Sequence, residues 1–325
     1  MEGLIVRSLG GFYTVISEDG TKTECRGRGI FRKDATTLLV GDRCRFEPTE
    51  PGCGSITAIE PRKNTLQRPP VANLDRLAMV ISLADPAPNA LVIDQLTAIA
   101  ARRDIPVVMI FTKPDLADPI PWVEIYRKAG YPTAVVNNRT GKGLTEAAAL
   151  LKGGITAFCG NSGAGKSSLM NGLYPELNLA TGEISKKLGR GRHTTRHVEL
   201  FPDGHGGWLC DTPGFSALEF AKAEPMPAAE LAECFPEMEK YKDHCRYTRC
   251  SHRTEQGCAV LEAVREGLIP ESRHRSYAAI YNELKELKEW ELAKMGRSQG
   301  GTCYAGKGPA AESDAAKEHD GAVPG

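Results

Sequence analysis

Three loop sequences stand in permuted order along this chain. Thr112-Lys113-Pro114-Asp115 precedes Gly160-Asn161-Ser162-Gly163-Ala164-Gly165-Lys166-Ser167, and Asp211-Thr212-Pro213-Gly214 closes the series. In an ordinary guanine-nucleotide switch the glycine-rich phosphate loop comes first and the base-reading segment last. The order here therefore reads as a circular permutant, with the same site entered and left at other points of the chain. One mechanical consequence follows. The segment after Asp211 runs into whatever follows residue 215 instead of returning to the nucleotide domain, so nucleotide state is placed to move a C-terminal unit.

Local context supports each motif. The glycine-rich loop follows the apolar run 155–159 and opens a helical stretch at 166–173, the setting a phosphate loop requires. Gly160, Gly163 and Gly165 let the backbone wrap a diphosphate with its N–H groups, in a cofactor-binding run that includes Asn161, Ser162, Ala164 and Ser168. Lys166 is expected to reach the β- and γ-phosphates and Ser167 to ligate magnesium through its hydroxyl. Asp211 ends the strand-like run 207–210, which puts a carboxylate near the metal, and Gly214 can offer its N–H to the γ-phosphate. Asp115 selects the base, because a carboxylate accepts from both the ring N–H and the exocyclic amine of guanine, a donor pair adenine lacks. That disfavours an ATP-using enzyme. Lys113 would lay its stem against the base plane, and Thr112 begins the reader. Between the phosphate loop and Asp211, the segment 186–196 is rich in glycine and charge. Its Thr195 is a candidate magnesium ligand in the triphosphate state. His193 has two readings, a catalytic or RNA-contacting group and a solvent-facing loop residue.

The remaining sequence divides by pattern. Residues 1–66 alternate apolar and polar positions between glycine and acidic turns, as in Phe12-Tyr13-Thr14-Val15-Ile16, and read as a small all-β barrel followed by a basic linker. Its segment Arg26-Gly27-Arg28-Gly29-Ile30-Phe31-Arg32-Lys33 interleaves an aromatic with cations, which suits a phosphate backbone with a stacked base. A solvated edge strand is the other reading. The stretch from Pro61 to Pro70 reads as extended linker. Residues 67–222 contain near-continuous apolar runs at 77–83 and 107–111 with a helical stretch around 91–103 between them, and the runs 133–136 and 155–159 continue a doubly wound α/β domain. Residues 223–295 form a third, mainly helical unit. Its Cys245, Cys250, His252 and Cys258 stand in a C-x4-C-x-H-x5-C pattern, enough to close one tetrahedral structural zinc site per chain. Tyr277, Ile280, Tyr281, Leu284 and Leu287 recur at helical spacing and imply a helix packed on that unit. Residues 296–325, rich in Gly, Ala and Ser, read as a disordered tail. No apolar run reaches membrane-spanning length and the start lacks a signal-peptide pattern, so a cytoplasmic protein without membrane contact is expected. In a reducing compartment, ten cysteines point to metal binding before disulfides, and Cys159 and Cys210 read as core. A net charge of zero confines any nucleic-acid contact to local patches.

Taken together, residues 1–295 resemble the bacterial ribosome small-subunit-dependent GTPase A family. The resemblance rests on Arg68-Pro69-Pro70-Val71-Ala72-Asn73, the permuted motifs, Gly191-Arg192-His193-Thr194-Thr195 and the Cys/His cluster. It implies an N-terminal oligonucleotide-binding (OB) barrel, a central GTPase and a C-terminal zinc-binding domain. It also implies a monomer that binds GTP or GDP with magnesium, contacts the small ribosomal subunit and its rRNA, and couples GTP hydrolysis to late subunit maturation. A permuted GTPase switch acting on another RNA or protein is the alternative. Two departures stand out. The family reader usually begins with Asn, so Thr112 is expected to loosen the bracing of Lys113 and the phosphate loop, and Asn137-Asn138 replace the usual Ser-Ala pair at the guanine carbonyl. Phe215 also stands where Ras-like enzymes carry a water-orienting Gln, so slow unassisted hydrolysis is expected.

Overall fold

The structure is a computed structural model, and it describes residues 1–29, 31, 36–67, 70–175, 198–211 and 226–286, without the side chains of Gln67 and Asp211. His193, Thr195, Gly214, Phe215, the segment 186–196 and the tail 296–325 lie outside the described residues.

The N-terminal strands are β1 (Glu2–Leu9), β2 (Phe12–Ser17), β3 (Lys22–Gly27), β4 (Arg43–Glu50) and β5 (Cys53–Ile59). Gly10 and Gly11, at φ 59 and 85, supply the two left-handed residues that a tight β1–β2 hairpin needs. The strands pair in the order β1-β2-β3-β5-β4, and a further β1–β4 pairing closes them into an OB-type barrel. Period-two alternation turns Ile5, Val15, Cys25, Phe46 and Ile56 into its core.

The expected extended linker is instead fixed structure. Arg62 grips the buried Asp42 through two hydrogen bonds, Nε to Oδ1 at 2.7 Å and Nη2 to Oδ2 at 2.8 Å. Lys63 pairs with Asp75, and β6 (Thr65–Gln67) forms a short antiparallel ribbon with β7 (Pro70–Ala72). Composition showed the charges but not the carboxylates they would meet.

The central sheet gathers β8 (Arg76–Ser82), β9 (Val107–Thr112), β10 (Thr133–Val136), β11 (Gly154–Cys159), β12 (Glu199–Pro202) and β13 (Gly207–Asp211) in the order β10-β9-β8-β11-β13-β12. All are parallel except β12, which runs back along β13. The helices α1 (Ala90–Arg102), α2 (Ile120–Lys128), α3 (Leu144–Leu151) and α4 (Lys166–Leu173) belong to this unit. β9 is buried at every position, as its uninterrupted apolar sequence requires between two covered faces. A β1–β12 bridge, Arg7 opposite Glu199, joins barrel and central unit into one 11-stranded sheet.

Beyond residue 226 the chain forms 3₁₀ turns over Ala228–Cys234, Pro236–Met238 and Lys242–His244, then α5 (Ala259–Arg265) and α6 (Glu271–Glu286). The sequence pattern placed α6 on the metal unit. It also packs along α1, so that Leu231, Phe235, Tyr277 and Ile280 share one core with Ile93, Leu96 and Ile99. Each such side chain adds about 1.5–3 kcal/mol on burial.

One polar cluster sits inside that core. Arg273 of α6, with no exposed surface, donates to Asp94 Oδ1 (2.6 Å) and Thr97 Oγ1 (3.0 Å) on α1 and, through two nitrogens, to Glu237 (2.7 and 3.2 Å). Burial alone would lower the Arg273 pKa, but the Glu237 and Asp94 carboxylates overrule it and hold the guanidinium well above its ordinary value. Arg273→Met leaves both carboxylates buried without their cation. It should lower stability by about 3–5 kcal/mol, read as a reduced urea midpoint; an unchanged midpoint would contradict the role assigned to the cluster.

Candidate nucleotide site and metal centre

The loops of the nucleotide site leave one edge of the parallel sheet. At its centre, β11 runs between β8 and β13, and the phosphate loop turns from β11 into α4. Gly160 adopts φ +143, and a Cβ there would lie 2.2 Å from the Val80 carbonyl oxygen, so the first turn of the loop admits no side chain. Lys166, at the start of α4, donates its ammonium to the carbonyls of Gly160 (2.6 Å) and Asn161 (2.8 Å). Burial lowers its pKa, with partial opposition from Cys159. Ser167 follows it on the first turn of the helix, where a hydroxyl can serve magnesium bound with a nucleotide.

Two neighbouring loops brace this one. Thr112, at the end of β9, places its hydroxyl 2.6 Å from the Ala164 carbonyl and 3.3 Å from that of Ile81. The Thr112 hydroxyl thus reaches the phosphate loop directly. Asn138 donates its amide N–H to the Gly165 carbonyl at 3.2 Å, and its Oδ1 is buried without a partner among the described residues. Gly165 is itself constrained, at φ +89 with a hypothetical Cβ only 2.8 Å from that amide nitrogen. Lys113 sits at φ 59 and donates to the Asp85 carbonyl in the loop after β8.

The Asp115 carboxylate is oriented by side chains. Asp115 accepts from the Asn137 amide at 3.4 Å and faces the Arg139 guanidinium at 3.5 Å. Asn137 in turn accepts from the backbone N–H groups of Arg139 (2.9 Å) and Thr140 (3.2 Å), an Asx turn that explains an amide at this place. The site thus assembles Thr112, Lys113, Asp115, Asn137, Asn138 and the phosphate loop. The backbone of Asp211 closes β13 opposite Glu199. Sequence reasoning missed Asp85 and Arg139, which act through a main-chain carbonyl and an exposed guanidinium and carry no motif.

The second centre lies against α6. The ligand atoms of Cys245, Cys250, His252 and Cys258 all fall within 4.8 Å of one another. Cys245 and Cys258 sulfurs are 3.7 Å apart and stand 3.4 and 3.6 Å from His252 Nδ1. Donors 2.0–2.3 Å from a common centre have tetrahedral edges of about 3.3–3.8 Å, so Cys245, His252 and Cys258 stand at the spacing of one tetrahedral face, with the Cys250 sulfur within 4.8 Å as the fourth donor. Burial pushes the Cys250 thiol up to about 12, with the neighbouring thiols adding to the effect, while burial lowers His252 and favours the neutral imidazole that ligates. Glu255 organises the loop by accepting from the N–H groups of Ser251, Arg253 and Thr254. Burial would raise its carboxyl, but these bonds hold it down to about 2. Cys159 and Cys210 are buried in the sheet.

On the barrel, Arg26 lies over the ring of Phe12 at 4.4 Å and Arg28 pairs with Glu47 at 2.5 Å. Phe31, expected as the stacking aromatic, packs against the barrel core instead, and Phe12 is the exposed ring. Ile30, Arg32 and Lys33 lie outside the described residues.

A base reader, a phosphate loop and a strand-ending aspartate on one edge of a parallel sheet, in this chain order, define a circularly permuted P-loop GTPase. The family described as RsgA GTPase matches residues 59–221, and the RsgA N-terminal domain matches residues 2–56. A broader family described as 50S ribosome-binding GTPase matches residues 155–289. The Small ribosomal subunit biogenesis GTPase RsgA of Moorella thermoacetica is 44% identical over 288 residues, covering 87% of this chain and 97% of that one. Its namesake from Geobacillus kaustophilus is 44% identical over 293 residues, covering 88% and 98%. Among solved structures, YjeQ from Thermotoga maritima superposes with a TM-score of 0.75 at 32% identity, covering 88% of this chain and 99% of that one. YloQ, described as a circularly permuted GTPase, gives 0.73 at 31%, covering 88% and 96%. The chain belongs to the RsgA GTPase family.

Thr112→Val keeps the shape of the side chain and removes the hydroxyl, leaving the Ala164 carbonyl without its donor. A loss of about 1–3 kcal/mol is expected in nucleotide affinity, measured by titration with a fluorescent GDP analogue; wild-type affinity would show that the phosphate loop does not depend on this brace.

Proposed function

We propose that this GTPase binds the small ribosomal subunit and couples GTP hydrolysis to its late maturation. The supporting observation is coverage, since relatives named for small-subunit biogenesis align over nearly their whole length, from the barrel through the Cys/His cluster. In this reading residues 1–66, 67–222 and 223–295 are the RNA-binding, GTPase and zinc-binding domains of a cytoplasmic monomer. The exposed Phe12 with Arg26 is the rRNA-facing patch of the barrel.

Asp115 takes the two guanine N–H donors in exchange for its present partners, and Lys113 covers the base. Asn137 and Asn138 hold the neighbouring loop where the guanine carbonyl is read. Lys166 leaves the carbonyls of Gly160 and Asn161 for the β- and γ-phosphates. Ser167 and Thr195 would hold the magnesium bound with GTP, with the Asp211 carboxylate as a further candidate, and the ion would supply charge neutralisation for the phosphates. Gly214 donates its N–H to the γ-phosphate. His193 is the candidate to orient water, a role Phe215 cannot fill. Zinc at the Cys/His centre supplies folding energy only, since four protein ligands leave no open position.

Asp115→Asn should weaken GTP binding by a few kcal/mol, about 2–4, and favour xanthosine nucleotides, whose carbonyl accepts the new amide donor; equal GTP affinity in that variant would remove Asp115 from base reading. Metal analysis under non-chelating conditions should find one zinc per chain, and a metal-free protein would refute the assignment.

Turnover should be slow in isolation and rise with small ribosomal subunits but not with large ones. Lys166→Ala should abolish it, and His193→Ala should lower stimulated turnover more than GTP affinity. Stimulation by large subunits alone would overturn the partner assignment.

A further inference from the structure

Between the nucleotide site and the metal centre, α1 and α6 pack on each other, and one buried side chain bonds the two helices. Around the Cys/His centre, α6 holds the metal loop by its main chain: His274 Nε2 lies 2.7 Å from the His252 carbonyl and the Tyr277 hydroxyl donates to that of Ser251 at 3.0 Å. Arg273 immediately precedes His274 and points into α1, where it meets Asp94 and Thr97. The N-terminal end of α1 stands beside the phosphate loop. Pro86, Asn89 and Val92 line a cleft against Gly160, Asn161 and Ala164, and the Asp85 carbonyl holds Lys113.

We infer that Arg273 is a positioning residue for the nucleotide site, locking α1 in the place that the metal centre sets for α6. Three features carry this. The guanidinium is wholly buried and bridges separate elements, with Asp94 and Thr97 on α1 and Glu237 in a 3₁₀ turn. It is enclosed by rings that fix its plane, its Cζ lying 4.6 Å from the Phe235 centroid and 5.3 Å from that of Tyr131. The cluster also leaves a cost uncompensated, because Asp94 Oδ2 is buried with no partner among the described residues. Apolar residues of similar volume often match or exceed such a cluster in stability, so what directional bonds add here is one register of α6 on α1. The inference rests on the nucleotide-site reading above.

The test uses the full chain and a fluorescent GDP analogue, following its dissociation rate with the metal bound, after chelation and after zinc is restored. In the native protein, chelation should speed dissociation about fivefold or more, reversibly, within the range of ordinary coupling between two sites. In the Asp94→Leu/Glu237→Met/Arg273→Met variant the charges are gone but the volume is kept, and chelation should change the rate less than about twofold. Arg273→Lys retains the charge without the fork and should give an intermediate response, which keeps the test open if the triple variant does not fold. No response in the native protein overturns the inference. An undiminished response in the variants does so as well, because the link would then run through apolar packing. Failure of the metal-loaded native protein to bind the analogue at all would instead sink the nucleotide-site reading.

Discussion

The nucleotide site depends on the parallel pairing of β8 with β11, in which Cys159 lies opposite Met79. That register brings the turn at Gly160 against the Val80 carbonyl so closely that only a residue without a side chain fits. Hydrogen bonds from Thr112 and Asn138 then fix the later part of the loop from the ends of β9 and β10. None of these contacts requires a particular order of strands along the chain. Permutation is tolerated because the site is a property of sheet adjacency, and ligands in open α/β sheets bind where the carboxyl ends of the strands converge.

What permutation changes is the connection to the rest of the molecule. The β12–β13 hairpin lies between the segment 186–196 and Asp211, and β12 is bridged to β1 of the barrel. Displacement at either end of the hairpin therefore has a short mechanical route to the proposed RNA-facing domain. A second route runs through α1 to α6. The two differ in kind, one a single strand bridge with an exposed ion pair at 3.9 Å between Arg7 and Glu199, the other a buried charge cluster in an apolar core. Exposed pairs hold their partners weakly and yield easily, whereas buried ones resist separation because each charge would be left without compensation.

Much of this was legible in sequence for physical reasons. Period-two alternation specifies the barrel because one face of each strand must be dry, and uninterrupted apolar runs specify buried parallel strands. Glycine-rich spacing and thiol-imidazole spacing are equally direct, since each encodes a geometry within a few residues. Long-range polar partners were not legible. Arg62 looked like linker charge until Asp42 met it, and the partial packing of Phe31 on the barrel core left no mark in the spacing of its segment. Arg273 left a partial trace, since it shares helical spacing with Tyr277, Ile280 and Leu284, and a cation on an otherwise apolar face implies a buried carboxylate.

The replacements at Thr112 and Asn138 read differently once both are seen on the phosphate loop. A single long amide at the head of the base reader could brace the loop alone. Here the work is divided: a hydroxyl from β9 meets the Ala164 carbonyl and an amide from beyond β10 meets that of Gly165. The divided brace ties the loop after β10 to the phosphate loop through Asn138 itself. Movement of Gly165 must then be felt at Asn138, and groups joined in one hydrogen-bond network are those whose substitutions fail to add. Thr112 and Asn138 thus hold the adjacent carbonyls of Ala164 and Gly165 from two different loops.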